Sequence, residues 1–139
     1  MTATIEDVKE YWNRQPCNIK HSNKEIGTKE YFEEVERKRY IAEPHIPKFA
    51  NFSDWGGKKV LEIGCGLATE GINFALNGAD YTATDLSSES IDLAKKRFRV
   101  YNKKGNFYLG NAEKLTSFLP RQKFDLIYSF GVIHHSPNP

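Results

Sequence analysis

From residue 58 onward, short apolar runs alternate with helix-patterned segments, and this alternation is the strongest constraint on the fold. "KKVLEIG" reads as a strand, "LATEGINFALNG" as a helix closed by Gly78, and "DYTATD" as a second strand. "SSESIDLAKKRFRVYNKKG" places Ile91, Ala94, Phe98 and Tyr101 on one face of a helix capped by Ser87 or Ser88. "NFYLG" is a third strand, "AEKLTSFLP" a short helix stopped by Pro120, and "FDLIYSFG" a fourth strand. Strands separated by helices form parallel crossovers rather than hairpins, and a parallel sheet needs cover on both faces. The expectation is an α/β chain, a Rossmann-like three-layer αβα sandwich.

The first 57 residues have a different texture. "TIEDVKEYWNR" reads as a helix capped by Thr4, with Ile5, Val8, Tyr11 and Trp12 recurring at helical spacing. "QPCNIKHSNKEIG" is loop-like. "TKEYFEEVERKRYIA" is a second helix capped by Thr28, in which Glu33 with Arg37 and Glu34 with Lys38 make i,i+4 pairs in the favourable order. Pro44 and Pro47 end it and open a turn through Phe49 and Phe52, and "SDWGGKK" is a hinge. The expected division is a helical cap at 1–57 and a Rossmann-like domain at 58–139.

A chain of 139 residues with 39% hydrophobic content can bury a core of its own. Twenty basic and 18 acidic residues leave a net charge of +2, which gives no electrostatic drive toward nucleic acid or an anionic membrane. No apolar run approaches the ~20 residues of a membrane span, and the N-terminus lacks a signal-peptide core. Cys17 and Cys65 make no disulfide framework and read as free thiols of a cytoplasmic protein.

A strand that runs into Gly64-Cys65-Gly66 and then a helix is a nucleotide-binding layout, because glycines let the backbone turn sharply against a ligand. The second strand ends at Asp85, 19 residues after Gly66, where an acid can accept hydrogen bonds from ribose hydroxyls. A dinucleotide fingerprint has a third glycine where this sequence has Thr69. Glu62, two residues before the loop, is a poor neighbour for a pyrophosphate and a reasonable one for a cationic ligand. S-adenosylmethionine carries a sulfonium and an ammonium and no phosphate. Glu62 as a loop-orienting group or a solvated strand-end charge, Asp85 as part of a helix cap, and Asn111 as a turn residue are the plainer alternatives.

"VLEIGCGLATEG", "ATDLS", "GNAEKL" and "FDLIYSFGVIHHSPNP" together resemble the class I S-adenosylmethionine-dependent methyltransferases of the UbiE-like type. The resemblance covers residues 58 to 139, and the N-terminal segment is similar to the helical cap of a bacterial subgroup. It implies that Gly64 and Gly66, with Cys65 between them, lie along the methionine and ribose of the cofactor. It implies that Asp85 binds the ribose hydroxyls, that Leu86 packs on the adenine, and that Asn111, Ala112 and the adjoining Glu113 read its edge. Phe130 and Gly131 would line the methionine end. Two departures are Asn111, where the family has an acid, and Ala68, where many members have a further glycine. Tyr11, Trp12, Tyr31 and Tyr40 read as packing aromatics, with Tyr11 or Tyr31 closing over the methionine end as the functional alternative.

Methyl transfer from a sulfonium needs alignment above all, and a general base only for a protonated nucleophile. His134 and His135 follow the fourth strand and are the candidates for that base, with a substrate-shaping role as the alternative. Two adjacent histidines without further ligands make no metal site. "SFGVIHH" differs from the Asn/Asp-Pro-Pro-Tyr/Phe motif of enzymes that methylate DNA bases. The expected acceptor is a small molecule, lipid-like or quinone-like, and not nucleic acid. The resemblance implies a sheet ordered 3-2-1-4-5-7-6, of which strands 3-2-1-4 are present here. The fourth strand is therefore expected either to pair with a second copy, giving a homo-oligomer, or to belong to a fragment of a longer protein. The rival functions are a catalytically incomplete module that only binds S-adenosylmethionine or S-adenosylhomocysteine, and an NAD(P)-dependent oxidoreductase. Thr69 and Glu62 argue against the oxidoreductase.

Overall fold

The computed structural model describes residues 3–139. Helix α1 (Ile5–Arg14) starts from a capping box: the Asp7 N–H donates to Thr4 Oγ1 at 3.3 Å and the Thr4 N–H to Asp7 Oδ2 at 2.8 Å. Helix α2 (Lys29–Ala42) starts where Thr28 Oγ1 accepts the Tyr31 N–H at 3.2 Å. Along α2, Glu34 pairs with Lys38 at 3.3 Å as the spacing predicts. Glu33 pairs instead with Lys29 at 3.8 Å, and Arg37 reaches back to Glu34 at 3.9 Å. The opposite face of α2 buries Tyr31, Phe32 and Val35 completely. The turn expected through Phe49 is a short helix, α3 (Ile46–Ala50), with Pro47 in its first turn, where a missing N–H leaves no bond unmade.

Strands β1 (Lys59–Ile63), β2 (Asp80–Asp85), β3 (Asn106–Leu109) and β4 (Leu126–Tyr128) form one parallel sheet in the order β3-β2-β1-β4. Helices α4 (Thr69–Leu76) and α5 (Ser88–Val100) are its crossovers, and helices cover both faces. This is the α/β Rossmann-like arrangement, with the strand order 3-2-1-4, that the sequence predicts. In β1, Leu61 lies beside Thr82 of β2 and Ile127 of β4. A strand flanked on both sides is buried from Val60 to Ile63. The outer edge of β4 exposes Ile127 by 62%. Among the described residues, no helix is long and apolar enough to cross a membrane.

Two elements differ from their sequence reading. Helix α4 begins at Thr69, not at Leu67, because Ala68 takes a left-handed conformation, φ +51°, that no helix can contain. The segment Ala112–Ser117 is a 3₁₀ helix interrupted at Lys114, where φ is −134°.

The core is centred between α4, α5 and the sheet. Tyr81 stacks on Phe98 at 5.2 Å between ring centroids, and its hydroxyl donates to Glu62 Oε2 at 2.5 Å. It reaches that far only because Gly71 of α4 has no side chain; a Cβ there would collide with the Tyr81 hydroxyl.

Candidate functional site

The ends of β1, β2 and β4 open into one cavity, the position at which open α/β sheets bind ligands. The β1–α4 loop forms its floor. Gly64 and Gly66 sit at φ +76° and +52°, which side chains resist, and a Cβ on Gly64 would run into Val132 on the opposite wall. The Gly64 and Cys65 N–H groups both donate to the Thr84 carbonyl, at 2.8 and 3.1 Å, which fastens the loop to β2.

Asp85, at the tip of β2, holds the next part. Its Oδ2 accepts the Gly66 N–H at 2.8 Å and its Oδ1 the Ser87 N–H at 2.9 Å. Ser87, not Ser88, caps α5, with its hydroxyl accepting the Ser90 N–H at 3.1 Å. Burial raises the Asp85 pKa, opposed by hydrogen bonds from the backbone of Ser87, Gly66 and Leu86. The carboxylate therefore orients the loop while facing the cavity beside Leu86. On the far side, Asn111 and Ala112 line the wall, and the Asn111 side-chain oxygen accepts the Glu113 N–H at 2.9 Å. One lone pair of that oxygen stays available to a ligand.

Of the residues singled out from the sequence, Gly64, Cys65, Gly66, Asp85, Leu86, Asn111, Ala112, Phe130, Gly131 and His135 come together around this cavity. Glu62, Glu113, Tyr11, Tyr31 and His134 do not line it. Glu62 is 3% exposed and bound to Tyr81, and burial, reinforced by the Glu70 carboxylate, pushes its pKa well above the ordinary range. It is no solvated strand-end charge, and its carboxylate binds Tyr81 in the core rather than lining the cavity. Tyr31 is fully buried, donating from its hydroxyl to the Ile19 carbonyl at 2.8 Å, and Tyr11 projects away into solvent. Neither closes over the cavity. Glu113 acts from behind the wall, accepting hydrogen bonds from the Ser136 hydroxyl and, at 3.1 Å, from the Asn138 N–H.

The cavity also has lining residues that the sequence reading missed. Ile5, Val8 and Trp12 turn one face of α1 onto it, and the Trp12 carbonyl accepts the Ser87 hydroxyl at 3.3 Å. Their i, i+3, i+7 spacing carried this signal; Tyr11, at i+6, falls off the face. Arg39 of α2 and Glu70 of α4 meet at the cavity wall, with Nε to Oε1 at 2.7 Å. Arg39 also lies over the Phe130 ring, 5.7 Å from its centroid. The carboxylates that do face the cavity are thus Glu70 and Asp85, against the guanidinium of Arg39. His135 packs edge-on against Trp12 at 5.4 Å between ring centroids. Burial and the neighbouring His134 both lower its pKa, which favours a neutral imidazole at neutral pH. Among the described residues, no cluster of three metal-ligating side chains occurs.

A model of the methyltransferase domain family matches residues 61–139. The chain belongs to this family. Its fold is that of the class I methyltransferases. The ubiquinone biosynthesis O-methyltransferase of Photobacterium profundum is 30% identical over 83 residues, which is 60% of this chain and 35% of that protein. The protein of the same name from Dechloromonas aromatica is 34% identical over 85 residues, again 60% and 35%. The chain therefore spans 35% of the length of these curated relatives. Magnesium protoporphyrin IX methyltransferase from Synechocystis PCC 6803, solved with bound SAM, superposes with a TM-score of 0.67 at 18% identity, covering 96% of this chain and 64% of that one. The last likeness is one of fold, and it extends over the N-terminal helices as well as the sheet.

Proposed function

We propose that this methyltransferase-domain chain binds S-adenosylmethionine in the cavity at the ends of β1, β2 and β4 and serves methyl transfer to a small-molecule acceptor. The observation that carries the reading is the clasp between Asp85 and Gly66, which fixes a positive-φ glycine loop beside a carboxylate at the sheet's ligand-binding edge. The charge of the site fits the ligand: two carboxylates, Glu70 and Asp85, face the cavity against one guanidinium. That balance favours a sulfonium and an ammonium over a pyrophosphate, and so disfavours the dinucleotide alternative. The relatives' names, which specify O-methylation, point the same way.

S-adenosylmethionine, when bound, supplies an electrophilic methyl group on sulfur. The chain's own work is alignment and exclusion of water. On this reading, among the residues that line the cavity, Asp85 accepts the ribose hydroxyls, Leu86 and the α1 face supply apolar walls, and the Asn111 side chain and the Ala112 backbone meet the adenine edge. On the same reading His135, which lines the cavity, takes the proton from a hydroxyl acceptor. His134 lies beside it, 4.0 Å between ring centroids, and does not line the cavity. We place the protein in the cytoplasm, where the free thiols Cys17 and Cys65 stay reduced. The exposed edge of β4 is open either to a second copy of the chain or to further strands of a longer protein; a mass that doubles with concentration in light scattering would favour the second copy.

Calorimetric titration with S-adenosylhomocysteine tests the reading. Micromolar binding that Asp85→Ala weakens by about tenfold to a hundredfold supports it. A folded protein that ignores S-adenosylhomocysteine, or binds it equally well after Asp85→Ala, refutes it. A binding response to NAD or NADP in the same assay would favour the oxidoreductase.

A further inference from the structure

Arg97 is a fully buried cation that does not line the ligand cavity, and its hydrogen bonds are spent in an unusual way. Nη1 donates to the Leu67 carbonyl at 3.2 Å and to Thr69 Oγ1 at 2.7 Å. Nη2 donates to the Phe32 carbonyl at 3.0 Å and, more loosely, to Glu36 Oε2 at 3.4 Å. Nε has no partner among the described residues. The guanidinium is 0% exposed, and it accepts the cost of burial with a single, long carboxylate contact. An arginine placed only to form an ion pair would sit closer to its carboxylate. This one is aimed at two backbone carbonyls and the Thr69 hydroxyl.

The two loop atoms that one nitrogen grips lie on either side of Ala68. Ala68 is itself buried, and at φ +51° and ψ +45° it occupies the left-handed region that an alanine side chain resists. Its neighbours Leu67 and Thr69 both line the ligand cavity. The turn at Ala68 decides where the floor of the cavity ends and where α4 begins. A glycine would take this conformation freely, whereas alanine must be held in it. The other nitrogen ties the same guanidinium to α2, through Phe32 and Glu36. Asn73 extends the link: its side-chain N–H groups reach the Thr69 carbonyl and Glu36 Oε2, each at 2.9 Å.

We propose that Arg97 is a positioning residue for the ligand-binding loop. It clamps Leu67 and Thr69 so that Ala68 keeps its left-handed turn, and it registers that turn against the N-terminal helix α2. The clamp does from outside the cavity what a glycine at position 68 would do without help. One side chain therefore couples the Ala68 turn to α2, beside the Asp85–Gly66 clasp and the Arg39–Glu70 pair that hold the rest of the loop and the helix. The ligand-affinity consequence rests on the S-adenosylmethionine reading; the clamp itself does not.

The test is a double-mutant cycle of Arg97→Lys and Ala68→Gly. Lysine keeps the charge and loses the fork that spans Leu67 and Phe32. Two readouts are followed: calorimetric affinity for S-adenosylhomocysteine, and backbone hydrogen exchange over residues 66–70 in the free protein. Arg97→Lys should weaken S-adenosylhomocysteine by about tenfold and speed exchange in the loop. In the A68G background the same substitution should cost far less affinity and leave loop exchange slow. The melting temperature should stay lowered in both backgrounds, because the Phe32 carbonyl and Glu36 lose their partner either way. An equal loss in the two backgrounds overturns the proposal, as does unchanged loop exchange in Arg97→Lys. If Arg97→Lys does not fold, Thr69→Val, which removes only the 2.7 Å contact, takes its place in the cycle with the same expectation for affinity and loop exchange. If the unaltered protein shows no affinity for S-adenosylhomocysteine, the cofactor reading fails and the exchange data alone decide on the clamp.

Discussion

Arg39 and Glu70 lie 31 positions apart in sequence and meet as a two-point ion pair, Nε to Oε1 at 2.7 Å and Nη2 to Oε2 at 3.3 Å. Their side chains are 11% and 6% exposed. The pair joins α2 to the first turn of α4 at the cavity wall, while Glu43 holds the remaining arm of the guanidinium at 3.1 Å. Removing one partner of such a buried pair leaves an uncompensated charge. Arg39→Met should therefore cost about 3 kcal/mol or more in urea denaturation. Arg39→Met/Glu70→Met should cost much less than the sum of the single substitutions, because neither charge is then stranded. Additive losses would mean that the pair carries no coupling.

Glu62 gives a pH signature. Burial raises its pKa above the ordinary 4.5, so in the folded state it holds its proton over a range where the unfolded chain has lost it. The folded state binds more protons across that range, and stability must fall as pH rises through it. Glu62→Gln cannot ionise and removes this contribution. Melting curves between about pH 5 and 8 should show the variant gaining on the unaltered protein as pH increases. A constant gap across the series would place an ionised Glu62 in the fold.

Much of the fold was legible because it rests on local signals. The second strand, 80–85, ran between Gly78 and the helix cap at Ser87, and it occurs where it was read. The glycine loop and Asp85 were legible because their spacing states a chemical requirement. Glu62 was misplaced for a physical reason: strand periodicity says that side chains alternate but not what each face meets, and only the fold brings Tyr81 to it. Arg39 and Glu70 were not singled out, since nothing in the local sequence reports a partner 31 positions away. Ala68 read as a departure at a position where many members have glycine; that it is held at positive φ became visible only in the backbone.

Gly64 is tightly constrained. It sits at φ +76°, and the space where a Cβ would go is taken by the branched end of Val132, which has no flexible tip to swing aside. Gly64→Ala should cost about 1–3 kcal/mol in chemical denaturation from backbone strain and overpacking together. Because relief of the clash must move either the loop or the 130–132 segment, affinity for S-adenosylhomocysteine should drop as well. Gly57→Ala is the control: its φ is also positive, at +72°, but open space surrounds it and it lies away from the cavity. Its effect should be confined to modest strain, with affinity retained. Equal affinity losses in the two variants would show that the loop contact with Val132 is irrelevant.

Trp12 offers a direct optical view of the site. The chain has two tryptophans, Trp12 and Trp55. Trp12 lines the cavity from α1 and packs against His135, whereas Trp55 donates its indole N–H to the Ala50 carbonyl at 3.2 Å, away from the cavity. A ligand entering beneath α1 changes the surroundings of Trp12 alone. Titration with S-adenosylhomocysteine should therefore change the intrinsic fluorescence; Trp12→Phe should abolish the change and Trp55→Phe should preserve it. Trp12→Ala should also weaken binding by about tenfold, since it removes a large apolar wall from a partly open site. No residue of α1 is fully buried, so this helix depends on its contacts over the cavity and against α5. Ligand binding should accordingly slow amide exchange along Ile5–Arg14. A fluorescence change that survives Trp12→Phe would place the ligand elsewhere in the molecule.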